Sequence, residues 1–260
     1  MKFGKGHAMT VQDYRVFREA GPGIRAGFSD SRTTADEMRE MLTAGCEAAG
    51  GTVIRLKLVH GDRIDVIRAE DPRIVTEDGT SRAYLEIPET DGGVTDVPGV
   101  VLTSTHGDCL AVYLADPVRG AVGLAHAGWK GTLLEIGGKL ARKMQTELGC
   151  RPEDLRAYIS PGISACCFQV RADVRDAFAE GLPLSLPYIS RDPGTEEDPR
   201  WHIDLKAINR ESLLAAGVLP EHVSISPDCT CCGEERWYSY RRNGEMRRML
   251  AWIGRKPAER

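Results

Sequence analysis

Three side chains far apart in the sequence could hold a metal ion. His60 lies in Leu58-Val59-His60-Gly61-Asp62, Cys109 follows Thr105-His106-Gly107-Asp108, and His126 lies in Leu124-Ala125-His126-Ala127-Gly128-Trp129. Each falls at the edge of an expected strand and close to glycine, where a side chain can face a cleft. Two imidazoles and a thiolate suit zinc or a similar borderline-soft ion. Three protein ligands would leave the fourth position to water or substrate, which is the catalytic arrangement. The spacing is no standard metal motif, since no C-x-x-C pair anchors these three, and satisfied core or surface histidines are the alternative. A second chemistry uses the same residues: Cys109 beside His126 as a thiolate–imidazolium nucleophile pair, with Asp108 orienting it or acting as general acid. The two readings compete, because a metal-bound thiolate is a blunted nucleophile. His106 reads as a group supporting the ligands from behind, whereas His7, His202 and His222 read as ordinary histidines.

Further candidates flank these. Trp129-Lys130-Gly131 and Tyr238-Ser239-Tyr240-Arg241-Arg242 offer aromatic and cationic groups suited to a flat ring and a phosphate. Trp129, Lys130, Tyr240 and Arg241 are therefore the substrate-binding candidates, with packing and a solvated surface as the bland alternative. Cys166-Cys167 and Cys229-Thr230-Cys231-Cys232 could hold a structural metal. Their spacing matches no standard zinc pattern, and they read as buried or inert thiols.

The elements that must position these residues are short strands and a few helices. Strands are expected at Val11 to Phe17 and Ile24 to Phe28, then a helix from Thr34 to about Ala49 behind a Thr34-to-Glu37 capping box. Thr52 to Val59 and Arg63 to Ala69 are β-like, with His60 on the turn between them. Val100 to Ser104, Leu110 to Ala115 and Ala121 to Ala127 form the most apolar stretch. One helix is expected from about Thr132 to Leu148, closed by Gly149. Strands follow at Arg156 to Ile159 and Cys167 to Val170, with a helix over Ala172 to Glu180. Leu182 to Arg200 reads as a surface loop, Asp204 to Ala216 as a helix and Arg247 to Ile253 as a closing strand. The order is α+β without regular βαβ alternation, and residues 1–260 read as one domain.

The 260 residues are 42% apolar and 28% charged with a formal net charge of −4. A mildly acidic chain without single-sign blocks is a poor nucleic-acid or membrane-surface binder. Arginine does cluster late, at Arg241, Arg242, Arg247 and Arg248, which leaves a local anion site open. No apolar run of spanning length and no secretory h-region is expected, so a cytoplasmic chain with reduced thiols is expected.

Taken together, the motifs resemble the YfiH family, also called the laccase-domain, polyphenol oxidase or purine nucleoside phosphorylase family. The resemblance rests on Asp108 to Pro117, His126 to Thr132, Val59-His60-Gly61-Asp62, Val94-Thr95-Asp96 with Pro98-Gly99, Ile159 to Ile163 with Cys167-Phe168, Cys229-Thr230 and Ser239 to Arg242. They run in family order from about residue 24 to 253. The resemblance implies one α+β domain of layered mixed sheets flanked by helices, an α/β/β/α sandwich. It implies zinc or copper on His60, Cys109 and His126.

As activity the resemblance implies phosphorolysis of purine nucleosides and deamination of adenosine, with nucleoside and phosphate as partners of a monomer or homodimer. The alternatives are a peptidoglycan-precursor amidase, working through a metal-activated water or Cys109, and a degenerate, non-catalytic metal-binding member. A multicopper laccase is disfavoured by the total of six histidines. Four departures from the family pattern bear on the substrate wall, one being Leu58 where the family often has glutamine two residues before the histidine. The loop after Gly27-Phe28-Ser29 is shortened, Lys130 stands where arginine is usual and so loses the bidentate fork, and Gly107 replaces a common alanine.

Overall fold

The computed structural model describes residues 23–34, 51–74, 83–193 and 197–256. In chain order its first strands are β1 (Ile24–Phe28), β2 (Thr52–Leu56), β3 (Ile64–Ile67), β4 (Tyr84–Ile87), β5 (Gly92–Thr95), β6 (Val100–His106), β7 (Leu110–Asp116) and β8 (Ala121–Ala127). Helices α1 (Trp129–Leu133) and α2 (Ile136–Leu148) follow, then β9 (Arg156–Ile159), β10 (Gln169–Val170) and α3 (Ala172–Gly181). The chain continues through β11 (Ile189–Arg191), β12 (Trp201–Ile203), α4 (Leu205–Ala215), β13 (Val223–Ile225), α5 (Tyr240–Asn243) and β14 (Met249–Arg255).

Strands β7 and β8 are buried at every position, so both of their faces must be covered. They form the centre of a six-stranded mixed sheet in the order β13-β9-β7-β8-β5-β3. Alternation along β7 decides what covers each side. Tyr113, with Val122 and Leu124 of β8, faces Ile54, Leu56 and Leu102 of a five-stranded sheet ordered β1-β14-β6-β2-β4. Val112 and Leu114 face the other way, onto Leu140 and Met144 of α2 and Ile208 and Leu213 of α4. The architecture is thus α+β, with two mixed sheets in layers and helices against the larger one. A small sheet, β10-β12-β11, extends it. No helix among the described residues is long and apolar enough to cross a membrane.

The expected strand at residues 11–17 and the helix after Thr34 lie outside the described residues. Two other expectations are corrected. The continuous helix expected over 132–148 is broken at Glu135, which adopts a left-handed conformation (φ 58°) between α1 and α2. The break lets α1 point Trp129 at the functional cavity while α2 lies flat on the sheet. The expected loop over 182–200 contains β11, which pairs antiparallel with β12. It lies at the edge of that small sheet, and the prolines of the segment fall outside the strand itself.

Gly27 shows how tightly β1 joins the sheet. A Cβ there would lie 2.0 Å from Nε1 of the buried Trp252 on β14. Gly27→Ala is expected to destabilise the protein by about 1–3 kcal/mol, the usual range for overpacking, read as a lower urea midpoint.

Candidate metal centre and substrate cavity

The centre is built on Asp91, a fully buried residue immediately before β5. Its carboxylate accepts hydrogen bonds from the backbone N–H groups of Val59 (3.1 Å), His60 (2.9 Å) and Gly61 (2.8 Å). These charge-assisted bonds hold His60 in a left-handed conformation, φ 60°, which costs a non-glycine residue on the order of 1 kcal/mol or more. The backbone carbonyl of Asp91 accepts from the His126 N–H at 2.7 Å. One residue therefore positions both imidazoles. Reading the sequence missed it, because Thr90-Asp91-Gly92-Gly93 looks like an ordinary turn.

The third candidate ligand, Cys109, comes from the tight connection between β6 and β7. The donor atoms of His60, Cys109 and His126 all lie within 4.8 Å of one another. Gly128 keeps the space between them open: a Cβ there would stand 3.0 Å from Cys109 Sγ and 3.4 Å from His60 Cδ2. The His126 ring is buried, edge-on to His60 (centroids 5.2 Å apart) and stacked on His106 (4.7 Å). Neither ring nitrogen of His126 makes a well-formed hydrogen bond, the Thr105 carbonyl being a nearby but poorly placed acceptor. An unsatisfied buried polar atom costs about 1–3 kcal/mol, and a ligated ion is one partner that would satisfy this ring. Burial, then the imidazoles of His106 and His60, hold the His126 pKa well below its ordinary value, with the Thr105 carbonyl offsetting only part. A neutral imidazole is the form that ligates.

His106 supports this ring from behind, as expected. Its Nδ1 lies 3.1 Å from the Cys109 carbonyl and its Nε2 lies 2.8 Å from the Ser104 hydroxyl. A carbonyl only accepts, so Nδ1 carries the proton and Ser104 donates to Nε2. Burial draws its pKa from 6.5 down to about 4, against the hydrogen bond to Cys109. The unfolded chain therefore takes up this proton below pH 6.5 while the folded chain refuses it until about pH 4. Stability must fall as pH drops through that window. For metal-free protein the His106 contribution is about 2 kcal/mol between pH 6.5 and 5. Urea unfolding at both pH values, compared with His106→Gln, isolates it from the same-sign contribution of His126.

Cys109 behaves differently from a nucleophile. Burial first, then the Asp108 carboxylate, push its thiol up to about 12, with the Arg248 guanidinium pulling the other way. Such a thiol stays protonated at neutral pH unless a bound cation displaces the proton. The donor set and its surroundings thus fit a divalent metal better than a cysteine–histidine nucleophile.

Above the centre opens a cavity of about 560 Å³. His60, Cys109 and His126 line it, with Trp129, Phe168 and Tyr240 as aromatic walls and Arg241 and Arg248 among its cations. Arg248 lies against Gly107, where a Cβ would come 3.3 Å from its Cδ, so the glycine in place of alanine gives this arginine room. The late arginine cluster is the signal that could have identified Arg248. Lys130 does not line the cavity. It is exposed, with its ammonium 5.6 Å from the Trp129 ring centroid, which corrects its expected place beside the phosphate. Asp108 lines the cavity, but its carboxylate accepts from the Thr230 hydroxyl, the Ser239 hydroxyl and the Arg241 N–H, each at 2.7 Å. Three donors make it an anchor for the C-terminal wall and leave little capacity to shuttle a proton.

A family model described as multi-copper polyphenol oxidoreductase laccase matches residues 20–256. The chain belongs to this laccase-domain family. Among its curated relatives is a purine nucleoside phosphorylase of Deinococcus radiodurans, 37% identical over 95% of this chain and 88% of the relative. Purine nucleoside phosphorylase YlmD of Geobacillus stearothermophilus is 35% identical over 92% and 85%. The crystal structure of YlmD superposes with a TM-score of 0.75 at 31% identity, covering 92% of this chain and 94% of YlmD. The Bacillus licheniformis hypothetical protein YfiH gives 0.73 at 29% identity, covering 90% and 93%. Among the described residues, the groups able to hold a metal are one His₂Cys set and one set of cysteines.

Proposed function

We propose that this laccase-domain protein is a metal-dependent purine nucleoside phosphorylase, with zinc on His60, Cys109 and His126. The observation that carries the reading is the union of three converging ligands with a cavity lined by both aromatics and arginines. An ion held by these three residues would supply Lewis-acid chemistry to the cavity. Arg248 and Arg241 bind the phosphate dianion and orient one oxygen toward the sugar. Trp129, Phe168 and Tyr240 hold the purine by its faces and keep water from the reacting carbon. The new bond joins a phosphate oxygen to the anomeric carbon as the glycosidic bond breaks, and the electron pair leaves with the base, which takes up the proton that hydrogen phosphate gives up. The names of the relatives support the same reaction class.

Adenosine supplied with and without phosphate tests this. Adenine and ribose 1-phosphate should form only when phosphate is present, and inosine would report deamination at the same centre. Amino acid released from an aminoacyl-muramyl precursor, with nucleosides untouched, would overturn the proposal in favour of a precursor amidase. Arg248→Ala should lower kcat/KM for phosphate by about 10- to 100-fold, the worth of one charge-assisted contact. Lys130→Ala should change it by no more than about twofold, as expected of an exposed cation.

A further inference from the structure

Four other cysteines also converge. The Sγ atoms of Cys166, Cys167, Cys229 and Cys232 lie within 4.8 Å of one another. Cys166 Sγ is 3.7 Å from that of Cys167 and 3.6 Å from that of Cys232. Bonds of about 2.3 Å to a tetrahedral zinc place sulfurs about 3.8 Å apart, whereas a disulfide needs about 2.05 Å. We propose that these four thiolates bind a second, structural zinc ion, distinct from the His60–Cys109–His126 centre.

The backbone is arranged for it. A parallel bridge between Gly162 and Cys229, with the Thr230 N–H donating to the Gly162 carbonyl at 3.1 Å, fixes the two cysteine segments side by side. Cys229 and Cys232 form a C-x-x-C pair turned by Gly233, whose N–H donates to the Cys229 carbonyl at 2.8 Å. The Ser164 N–H donates to Cys229 Sγ at 3.4 Å, and those of Cys231 and Cys232 also point at this sulfur. Such donors favour a thiolate. Lys206, 5% exposed, places its ammonium on the carbonyls of Ser226 (2.9 Å) and Asp228 (2.7 Å), just before Cys229. A buried cation beside the cluster offsets the net charge of about −2 carried by zinc with four thiolates. The pattern is hidden in the sequence because the C-x-x-C pair is completed by the adjacent Cys166-Cys167, not by a second C-x-x-C.

Four ligands close the coordination shell, so the ion's role is structural. The cluster ties down one wall of the substrate cavity, because Arg241 donates to the carbonyls of Cys167 (3.0 Å) and Gln169 (2.9 Å).

Metal analysis of the full chain, expressed with zinc, tests the proposal. About two zinc ions per chain are expected in the parent and in Cys231→Ser, and about one in each of Cys109→Ala and Cys232→Ser. Cobalt loaded into Cys109→Ala should show the sulfur-to-metal charge transfer and d–d pattern of a tetrathiolate, absent when Cys232→Ser is added. Cys166→Ser, on the other segment and exposed, replaces Cys232→Ser if that variant does not fold, and His60→Ala likewise replaces Cys109→Ala. A Cys109→Ala protein that folds without zinc, or a Cys166–Cys232 disulfide found by peptide mapping, would overturn the proposal.

Discussion

Cys109→Ala is expected to empty the His60–Cys109–His126 centre and to lower phosphorolysis by about three orders of magnitude, the several kcal/mol that a Lewis acid contributes. The thiolate is the one anionic ligand of the three, so its loss leaves two neutral imidazoles with no charge to hold a dication. The fold should survive, because the change removes a single small side chain at a tight turn. The measurement pairs metal content with kcat/KM on adenosine and phosphate, and follows unfolding as a control. Cys109→Ser should behave almost as badly, since a hydroxyl keeps the volume but does not ionise near neutral pH. Full activity with the metal gone would mean that the arginines and aromatics suffice, and the centre would then be structural.

The second large effect is expected at Asp91. Asp91→Ala leaves the N–H groups of Val59, His60 and Gly61 without their acceptor and releases the left-handed turn at His60. Several hydrogen bonds to one buried charge are lost together, and about 3–5 kcal/mol of stability should go with them. Asp91→Asn separates positioning from folding. It keeps the shape and one acceptor oxygen, so the chain should remain folded while zinc affinity falls about 10- to 100-fold, the usual cost of disturbing a ligand's support. Urea unfolding and zinc competition titrations read the two effects. If Asp91→Asn binds zinc as the parent does, the carboxylate serves the fold alone.

Much of this architecture could be read from apolar runs. β7 and β8 announce themselves because central strands buried on both faces carry almost continuous hydrophobic sequence. Their places at strand edges close to glycine likewise marked His60, Cys109 and His126 as candidates, and the structure brings the three together. What escaped depends on contacts between distant segments. β5 is two glycines followed by Val94 and Thr95, and it is a strand only because β3 and β8 flank it. Nothing local to Asp91 reveals that its carboxylate turns inward. Lys130 was misplaced for a related reason: a helical residue next to Trp129 shares its neighbourhood but not its direction. The cysteine set was read in favour of inert thiols because an adjacent pair and a C-x-x-C only become one cluster through the Gly162–Cys229 bridge.

The placement of both imidazoles by Asp91 has a consequence for metal choice. The separation of His60 and His126 is imposed by hydrogen bonds within the chain, before any ion arrives. The His₂Cys donor set by itself ranks divalent ions in the Irving–Williams order, with copper above zinc, and only the geometry that this preorganised scaffold imposes can counter that ranking. Competition at equilibrium would then be decided by the free concentration of each ion around the protein, and occupancy becomes a record of supply.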